Sequence, residues 1–290
     1  LFACQSMDDG SNTRLYREID VQGHRGCRGS LPENSLPGFL QALEWGVTTL
    51  EMDVVISKDH QVVLSHEPIL SHHICIDSTG ADLDPGTQLQ YNMYQMTYEE
   101  IKSFDCGSKA PPEFPNQQSR PGPKPLLKDI IQAVENSTQE LQLDPVQYSI
   151  EIKSMPGFDR IFHPEPKDFV ALVLEVIHQS GIQHRSIVQS FDLRALEQVR
   201  HQAPEIKTSF LVDDEQEPLF HLVQLGFEPT IYSPAYRTVN DSLIHYLHEK
   251  QIAVIPWTVN DTTTMRRLLK MGVDGIITDY PEYLLALIED

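Results

Sequence analysis

Short apolar runs rich in β-branched residues alternate with amphipathic segments from residue 19 to the end of the chain. The apolar runs predict eight main strands, at residues 19–23, 48–55, 148–153, 186–191, 207–212, 230–234, 253–259 and 275–278. Strand–helix alternation repeated eight times indicates a (β/α)8 TIM barrel. An open, doubly wound sheet is the alternative, but no GxGxxG motif follows the first strand.

The segments between these strands predict helices, because their apolar residues recur at three- and four-residue spacing. Among these helices are those at residues 37–45, 126–136, 168–179, 193–202 and 262–270. Capping residues precede several of them: Asp192, Asp261, and either Asn34 or Ser35 before the helix that starts with Pro37.

A second, short strand at residues 62–65 follows the strand at 48–55 after only a few residues. This gap is too short for a helical crossover, so the two strands are expected to form an antiparallel hairpin. A turn centred on Asp59 and His60 would place Asp53 opposite His66.

A long segment rich in Pro, Gly, Tyr and Asn then runs from about residue 67 to 125, with one weak helix at 97–104. Segments of this length between barrel elements are usually functional. It follows the second barrel strand, on the face where barrel active sites are built, so we interpret it as an inserted cap. The chain thus divides into an N-terminal tether, residues 1–17, and a barrel domain, residues 18–290.

The chain is strongly acidic, with 42 Asp+Glu, 22 Lys+Arg and a formal net charge of −20. This charge argues against a nucleic-acid partner and against binding to an anionic membrane face. An anionic substrate must therefore be held locally, by a metal ion, a few cations or backbone N–H groups.

Two barrel strands carry carboxylates at two-residue spacing, which places them on one face of each strand. Glu51 and Asp53 share one strand, and Glu151 and Lys153 share the next. Buried strands avoid charge unless it has a role. A hard divalent cation would offset three such carboxylates. The alternatives are solvated surface carboxylates and a structural Glu151–Lys153 ion pair.

The segment GHRGCRGS at residues 23–30 is basic and glycine-rich at the end of the first strand. Arg25 can make bidentate contacts to a phosphate through two of its guanidinium nitrogens. His24 and His66 would flank the bound anion, one accepting a proton and the other donating one. Asp279, at the end of the last strand, is either part of this chemistry or a helix cap.

Several ordered motifs together carry a resemblance: GHRG, PENS, EMDVVISKDHQVVLSHE, IEIK, VQSF, PWTVN and GVDGIITDYP. The chain resembles the glycerophosphodiester phosphodiesterase family, which are metal-dependent (β/α)8 barrels. Two positions depart from the family pattern: Glu67 stands where Asp is common, and ENS where ENT is common. The resemblance implies the following roles: His24 and His66 as catalytic acid and base; Glu51, Asp53 and Glu151 as ligands of one Ca²⁺ or Mg²⁺; Arg25 and Lys153 as phosphate contacts; Phe191 and Trp257 as walls of the substrate pocket.

The implied activity is hydrolysis of a small-molecule glycerophosphodiester to glycerol 3-phosphate and an alcohol. A phospholipase C- or D-like enzyme acting on intact lipids is one alternative. A phosphate-binding module without activity is the other, but it would lack a histidine or a carboxylate that this chain retains.

The segment Leu1-Phe2-Ala3-Cys4 resembles the end of a bacterial lipoprotein signal. Lipidation of Cys4 would make the protein a periplasmic or membrane-anchored lipoprotein, and this lipid is the membrane attachment that the sequence predicts. In an oxidising compartment, Cys75 and Cys106 could form a disulfide. The alternative is that the four residues are arbitrary and the protein is cytoplasmic.

Overall fold

The computed structural model describes residues 19–289. Within that range the strands are β1 (Asp20–Gly23), β2 (Thr49–Ile56), β3 (Val62–Leu64), β4 (Gln147–Ile152), β5 (Ser186–Ser190), β6 (Lys207–Val212), β7 (Ile231–Pro234), β8 (Ala253–Val254) and β9 (Gly275–Thr278). All except β3 form one parallel sheet in the order β8-β7-β6-β5-β4-β2-β1-β9. Backbone bonds close it, from Asp274 N to Val254 O (2.9 Å) and from Ile277 N to Pro256 O (3.0 Å). The predicted TIM barrel is confirmed.

Helices follow the strands and surround the sheet. They are α1 (Leu36–Trp45), α2 (Tyr98–Ile101), α3 (Leu127–Leu141), α4 (Pro166–Gln179), α5 (Leu193–Gln202), α6 (Pro218–Leu225), α7 (Asp241–Glu249), α8 (Thr262–Met271) and α9 (Pro281–Glu289). Ser35, Asp192 and Asp261 accept hydrogen bonds from backbone N–H groups in the first turns of α1, α5 and α8. These three caps were predicted from the sequence, and Ser35 rather than Asn34 caps α1.

Strand β2 positions the functional side chains through its alternation. Leu50, Met52 and Val54 pack in the main hydrophobic core against the helices. Burial of each such side chain stabilises the fold by about 1.5–3 kcal/mol, which fixes the face of β2 that packs against the helices. Glu51 and Asp53 are therefore directed into the barrel interior.

The β2–β3 hairpin was predicted correctly, but its register was wrong by one residue. Val54 pairs with Leu64 and Ile56 with Val62, so Ser65 lies opposite Asp53, and its N–H donates to the Asp53 carbonyl at 3.0 Å. The turn is one residue longer than expected, because His60 adopts a left-handed conformation with φ 61°. His66 thus lies one residue beyond the predicted position.

Three other elements differ from the prediction by more than two residues; one is α3, which ends at Leu141 rather than at residue 136. Strand β8 stops at Val254, since Pro256 has no N–H to continue a regular ladder, although Trp257 N still donates to Pro234 O at 3.1 Å. The weak helix predicted at 97–104 is only the single turn α2, which begins with a capping box formed by Thr97 and Glu100.

Residues 67–125 form a cap between β3 and α3, as predicted. The cap has its own hydrophobic cluster, which includes Leu70, Leu83 and Ile101 and packs on Val55 and Val63 of the hairpin. A disulfide joins Cys75 and Cys106 within this cluster. Cys4 and the tether at 1–17 lie outside the described residues. No helix in the described part of the chain is long and apolar enough to cross a membrane.

Candidate active site

The turn after β1 positions the first two candidate residues. A side chain at Gly23 would place its Cβ 2.2 Å from the carbonyl oxygen of Gly26, and Gly26 itself has φ +91°. Arg25 between them is also left-handed, with φ 51°, a conformation that costs energy for a residue with a side chain. This tight turn brings His24 and Arg25 to the carboxyl end of the barrel, where the candidate carboxylates also lie.

The structure brings the three predicted metal ligands together. One carboxylate oxygen from each of Glu51, Asp53 and Glu151 lies within 4.8 Å of the others, and all three residues are buried. The parallel register of β2 and β4 pairs Asp53 directly with Glu151. Lys153 Nζ lies 2.6 Å from Glu151 Oε1 and 3.7 Å from Asp53 Oδ1. Arg25 Nε lies 3.0 Å from Asp53 Oδ2.

The donor set fits a hard divalent cation. Oxygen ligands at 2.3–2.6 Å from a calcium ion lie at most about 5 Å from one another, which matches the spread of these carboxylates. Asp53 Oδ1 is buried and accepts no hydrogen bond from any residue between 19 and 289. The three carboxylates exceed the charges of Arg25 and Lys153 by one, so a divalent ion would leave the centre with one positive charge, which suits a phosphodiester monoanion.

Burial opposes ionisation of all three carboxyls, and the charged neighbours decide the direction of each pKa. Burial raises the pKa of Glu51 well above its usual value, and the Asp53 and Glu151 carboxylates add to the effect. Burial also raises the pKa of Glu151. Burial opposes ionisation of Asp53 as well, but the Arg25 guanidinium and Lys153 hold its pKa well below its usual range. A bound cation would remove the protons that this centre otherwise attracts.

Two polar residues that the sequence analysis did not assign to the site orient these carboxylates. Asn34 Nδ2 donates to Asp53 Oδ2 at 2.8 Å, and Asp53 N donates back to Asn34 Oδ1 at 3.2 Å. Gln189 Nε2 donates to Glu51 Oε1 at 2.7 Å. Both lie in motifs that carried the resemblance, PENS and VQSF, which was the available signal. Their hydrogen bonds fix the carboxylate rotamers, as partners of metal ligands commonly do.

His24 is held by an acidic partner. Its Nδ1 lies 2.6 Å from Asp279 Oδ1, and its Nε2 lies 4.0 Å from Glu51 Oε2. Asn260 Nδ2 donates to the other Asp279 oxygen at 2.7 Å. Burial alone would raise the pKa of Asp279, but the adjacent His24 ring holds that pKa below its usual value. Of the two roles open for Asp279, the structure favours the one in the site: it orients the His24 ring.

His66 occupies a more open position. Its Nδ1 lies 2.8 Å from Glu67 Oε1, and its side chain is 32 % exposed, against 13 % for His24. Burial lowers the pKa of His24. The two candidate histidines therefore differ in environment: His24 is enclosed and paired with Asp279, while His66 faces the mouth of the site.

A cavity of about 170 Å³ opens onto the carboxylates. Phe191 and Trp257 form one wall, with their ring centroids 5.4 Å apart at an interplanar angle of 89°. The Trp257 indole is fixed by donation from Nε1 to Ser233 O at 2.9 Å. The lining also includes His24, Arg25, Glu51, His66, Glu151 and Lys153. The cavity thus unites the predicted site residues, apart from Asp53, which lies behind it in contact with Arg25.

The sequence profile of the glycerophosphoryl diester phosphodiesterase family matches residues 24–283 of this chain. The chain belongs to this family.

Individual relatives agree with this family assignment. A glycerophosphodiester phosphodiesterase from Caldanaerobacter subterraneus subsp. tengcongensis is 27 % identical over 272 residues, covering 92 % of this chain and 97 % of the relative. A solved structure from Silicibacter pomeroyi DSS-3, which bears the family name, has 30 % identity and a TM-score of 0.83 and covers 94 % of this chain and 93 % of its own. An Oleispira antarctica phosphodiesterase solved with the product sn-glycerol-3-phosphate has the same fold, with 22 % identity, a TM-score of 0.75 and coverage of 95 % and 99 %.

This phosphodiesterase-family chain also has an ion cluster beside the site that the sequence analysis missed. Glu33 Oε2 lies 2.8 Å from Arg25 Nη1 and 2.8 Å from Arg28 Nε. Burial opposes ionisation of Glu33, but Arg25, Lys124 and Arg28 lower its pKa to about 2. Glu33 therefore stays ionised and fixes the Arg25 guanidinium against Asp53. Lys124 comes from the cap, whereas Arg25, Arg28 and Glu33 lie in the segment after β1, so sequence spacing did not reveal the whole cluster.

Proposed function

We propose that this protein hydrolyses glycerophosphodiesters to glycerol 3-phosphate and an alcohol, with one Ca²⁺ or Mg²⁺ and a pair of histidines. The observation that carries the proposal is the buried cluster of Glu51, Asp53 and Glu151 between His24 and His66. When bound, the ion supplies charge neutralisation for the phosphoryl oxygens and lowers the pKa of a nearby hydroxyl. Every ligand in the cluster is an oxygen, which is the preference of both ions.

His24 acts as the general base. The ionised Asp279 carboxylate accepts the proton of Nδ1, so the lone pair of the ring is on Nε2, which points towards Glu51 and the cavity. Burial lowers the pKa of His24 and so favours the neutral ring that a base requires. His24 Nε2 takes the proton of the attacking oxygen. If this oxygen is water, the displacement gives glycerol 3-phosphate directly; if it is the substrate's own glycerol hydroxyl, it gives a cyclic phosphate that water then opens.

His66 acts as the general acid. It lies at the mouth, lines the cavity together with His24, and its Nδ1 lies 2.8 Å from the Glu67 carboxylate. His66 then protonates the departing alkoxide, which leaves towards the cap. Both histidines act in one displacement, so neither is redundant.

Arg25 and Lys153 orient the phosphate. Both cations line the cavity and are already held by carboxylates, Arg25 by Glu33 and Lys153 by Glu151. This preorganisation lowers the conformational entropy lost on substrate binding. Phe191 and Trp257 supply an apolar wall for the glycerol carbon atoms.

A substrate assay with matched variants tests the proposal. The purified protein is incubated with sn-glycero-3-phosphocholine, and glycerol 3-phosphate and choline are measured. We expect wild type to release both in equal amounts, and Glu151→Gln to release far less at limiting metal. A surface variant of the same type, Glu175→Gln on α4, should match wild type. Absence of product with wild type in the presence of either metal contradicts the proposed function.

We further propose that the protein is exported and anchored through a lipid on Cys4. The disulfide between Cys75 and Cys106 supports an oxidising compartment. Cell fractionation tests this proposal: the full-length protein should be in the membrane fraction, and Cys4→Ser should be released. A cytoplasmic location of the full-length protein contradicts it.

A further inference from the structure

A second cavity lies beside the catalytic one, between the barrel mouth and the cap, and we call it the cap cavity. It has a volume of about 270 Å³ and shares Arg25, Arg28 and His66 with the catalytic cavity. Ser71, Ile74 and Pro111 of the cap form its far wall. A substrate whose phosphate lies at the shared residues can therefore extend one substituent into each cavity.

The Lys124 ammonium group lines the cap cavity from a buried side chain. Lys124 is only 3 % exposed, and it donates no hydrogen bond to any residue between 19 and 289. The nearest carboxylate oxygen is Glu33 Oε1, at 3.9 Å. The other oxygen of Glu33 already binds Arg25 and Arg28. The ammonium nitrogen itself is open to the cavity, so a ligand in the cavity can supply the hydrogen-bond acceptor that residues 19–289 do not.

The backbone around Lys124 is fixed on three sides. Leu64 N donates to Pro125 O at 2.8 Å, Cys106 N donates to Gly122 O at 2.8 Å, and the Tyr98 hydroxyl donates to Lys124 O at 3.3 Å. Prolines on both sides of Lys124 restrict the chain further. The ammonium group is thus held in the cavity wall by the surrounding structure.

The charges around the cap cavity favour an anion next to Lys124. Arg25 is shared with Asp53 of the carboxylate cluster, which leaves Arg28 and Lys124 beside the single carboxylate of Glu33. The other two carboxylates of the lining, Glu67 and Glu113, are exposed to solvent, and Glu67 is paired with His66. Burial lowers the pKa of Lys124, which an anionic ligand at hydrogen-bond distance would reverse.

We propose that the cap cavity holds the alcohol group of the diester, and that Lys124, supported by Arg28, makes the enzyme prefer alcohols that carry an anionic group such as a carboxylate. This inference rests on the proposed function. It follows from the position of His66, which protonates the departing alcohol and lines both cavities. The anionic group would supply the acceptor that the Lys124 ammonium lacks.

Two nearly isosteric substrates test the inference: the glycerol 3-phosphate diester of glycerol and that of glyceric acid, in which a carboxylate replaces one CH₂OH group. We expect wild type to have a kcat/KM about 10–100-fold higher for the glycerate ester, the range for one charge-assisted hydrogen bond. Lys124→Met should reduce this ratio to about one, mainly through KM for the glycerate ester. Lys124→Arg should keep most of the preference.

The ratio is measured on a single preparation, so partial misfolding of Lys124→Met cancels. The control is Lys109→Met, a cap lysine that is paired with Asp82 and does not line the cavity; it should keep the wild-type ratio. Equal kcat/KM for both esters in wild type, or an unchanged ratio in Lys124→Met, overturns the inference but leaves the proposed function intact. Failure of wild type to hydrolyse either ester refutes the proposed function and this inference with it.

Discussion

Replacing Asp279 with Asn tests whether this residue sets the protonation state of His24. Asp279 Oδ2 accepts a hydrogen bond from Asn260 Nδ2 at 2.7 Å, while Oδ1 faces His24 Nδ1 at 2.6 Å. In Asp279→Asn the amide oxygen stays with the Asn260 donor, so the new NH₂ group faces His24. Nδ1 must then accept a hydrogen bond, and the ring proton moves to Nε2.

A ring protonated on Nε2 has no lone pair with which to accept the proton of the attacking hydroxyl. We therefore expect kcat to fall by about 10²–10⁴-fold, the contribution of a positioned general base. Metal affinity should stay close to that of wild type, since Asp279 is not part of the carboxylate cluster. Steady-state kinetics on glycerophosphocholine and calorimetric titration with Ca²⁺ or Mg²⁺ measure the two effects separately.

The double variant Asp279→Asn/Asn260→Ala provides the matched control. Without the Asn260 donor, the amide of residue 279 is free to turn its oxygen towards Nδ1, which should restore kcat by about tenfold relative to Asp279→Asn. Asn260→Ala alone should lose less activity than Asp279→Asn. A kcat of Asp279→Asn within about threefold of wild type would refute the reasoning. It would also be refuted if Asp279→Asn lost both kcat and metal affinity and the double variant did not restore kcat.

Three further predictions concern the histidines and the carboxylates. A nitrophenyl ester, whose leaving group needs no protonation, should restore turnover to His66→Ala but not to His24→Ala; the opposite pattern would exchange their roles. Glu151→Gln should weaken metal binding, and excess metal should partly restore its activity, whereas loss of activity at unchanged metal affinity would count against its role as a ligand. Because burial raises the pKa values of Glu51 and Glu151, metal binding should release protons and should weaken as the pH falls. Calorimetry in buffers of different ionisation enthalpy measures the number of protons released. Metal binding at acidic pH without proton release would contradict the direction of the shifts.

The barrel and the carboxylate cluster could be predicted because both depend on local alternation. Successive residues of β2 point to opposite sides, so the apolar positions 50, 52 and 54 alone direct Glu51 and Asp53 inward. The hairpin register could not be predicted in the same way, because it depends on the single left-handed residue His60. One residue more in the turn moves every later position by one.

The pairing of His24 with Asp279 depends on closure of the barrel, since 255 residues separate them. The sequence left Asp279 with two roles, because its place before Pro281 suits a helix cap equally well. Lys124 was not recognised for a similar reason. It lies in a segment without regular periodicity, and only the packing of the cap against Glu33 and Arg28 makes its burial evident.

The central claim is that the buried carboxylates hold a metal ion required for phosphodiester hydrolysis. The most direct measurement is the release of glycerol 3-phosphate from glycerophosphocholine by protein treated with a chelator and then supplied with Ca²⁺ or Mg²⁺. The account predicts that activity is lost on chelation, returns on addition of metal to wild type, and does not return to Asp53→Asn at the same metal concentration. Full activity of the metal-free protein would contradict it.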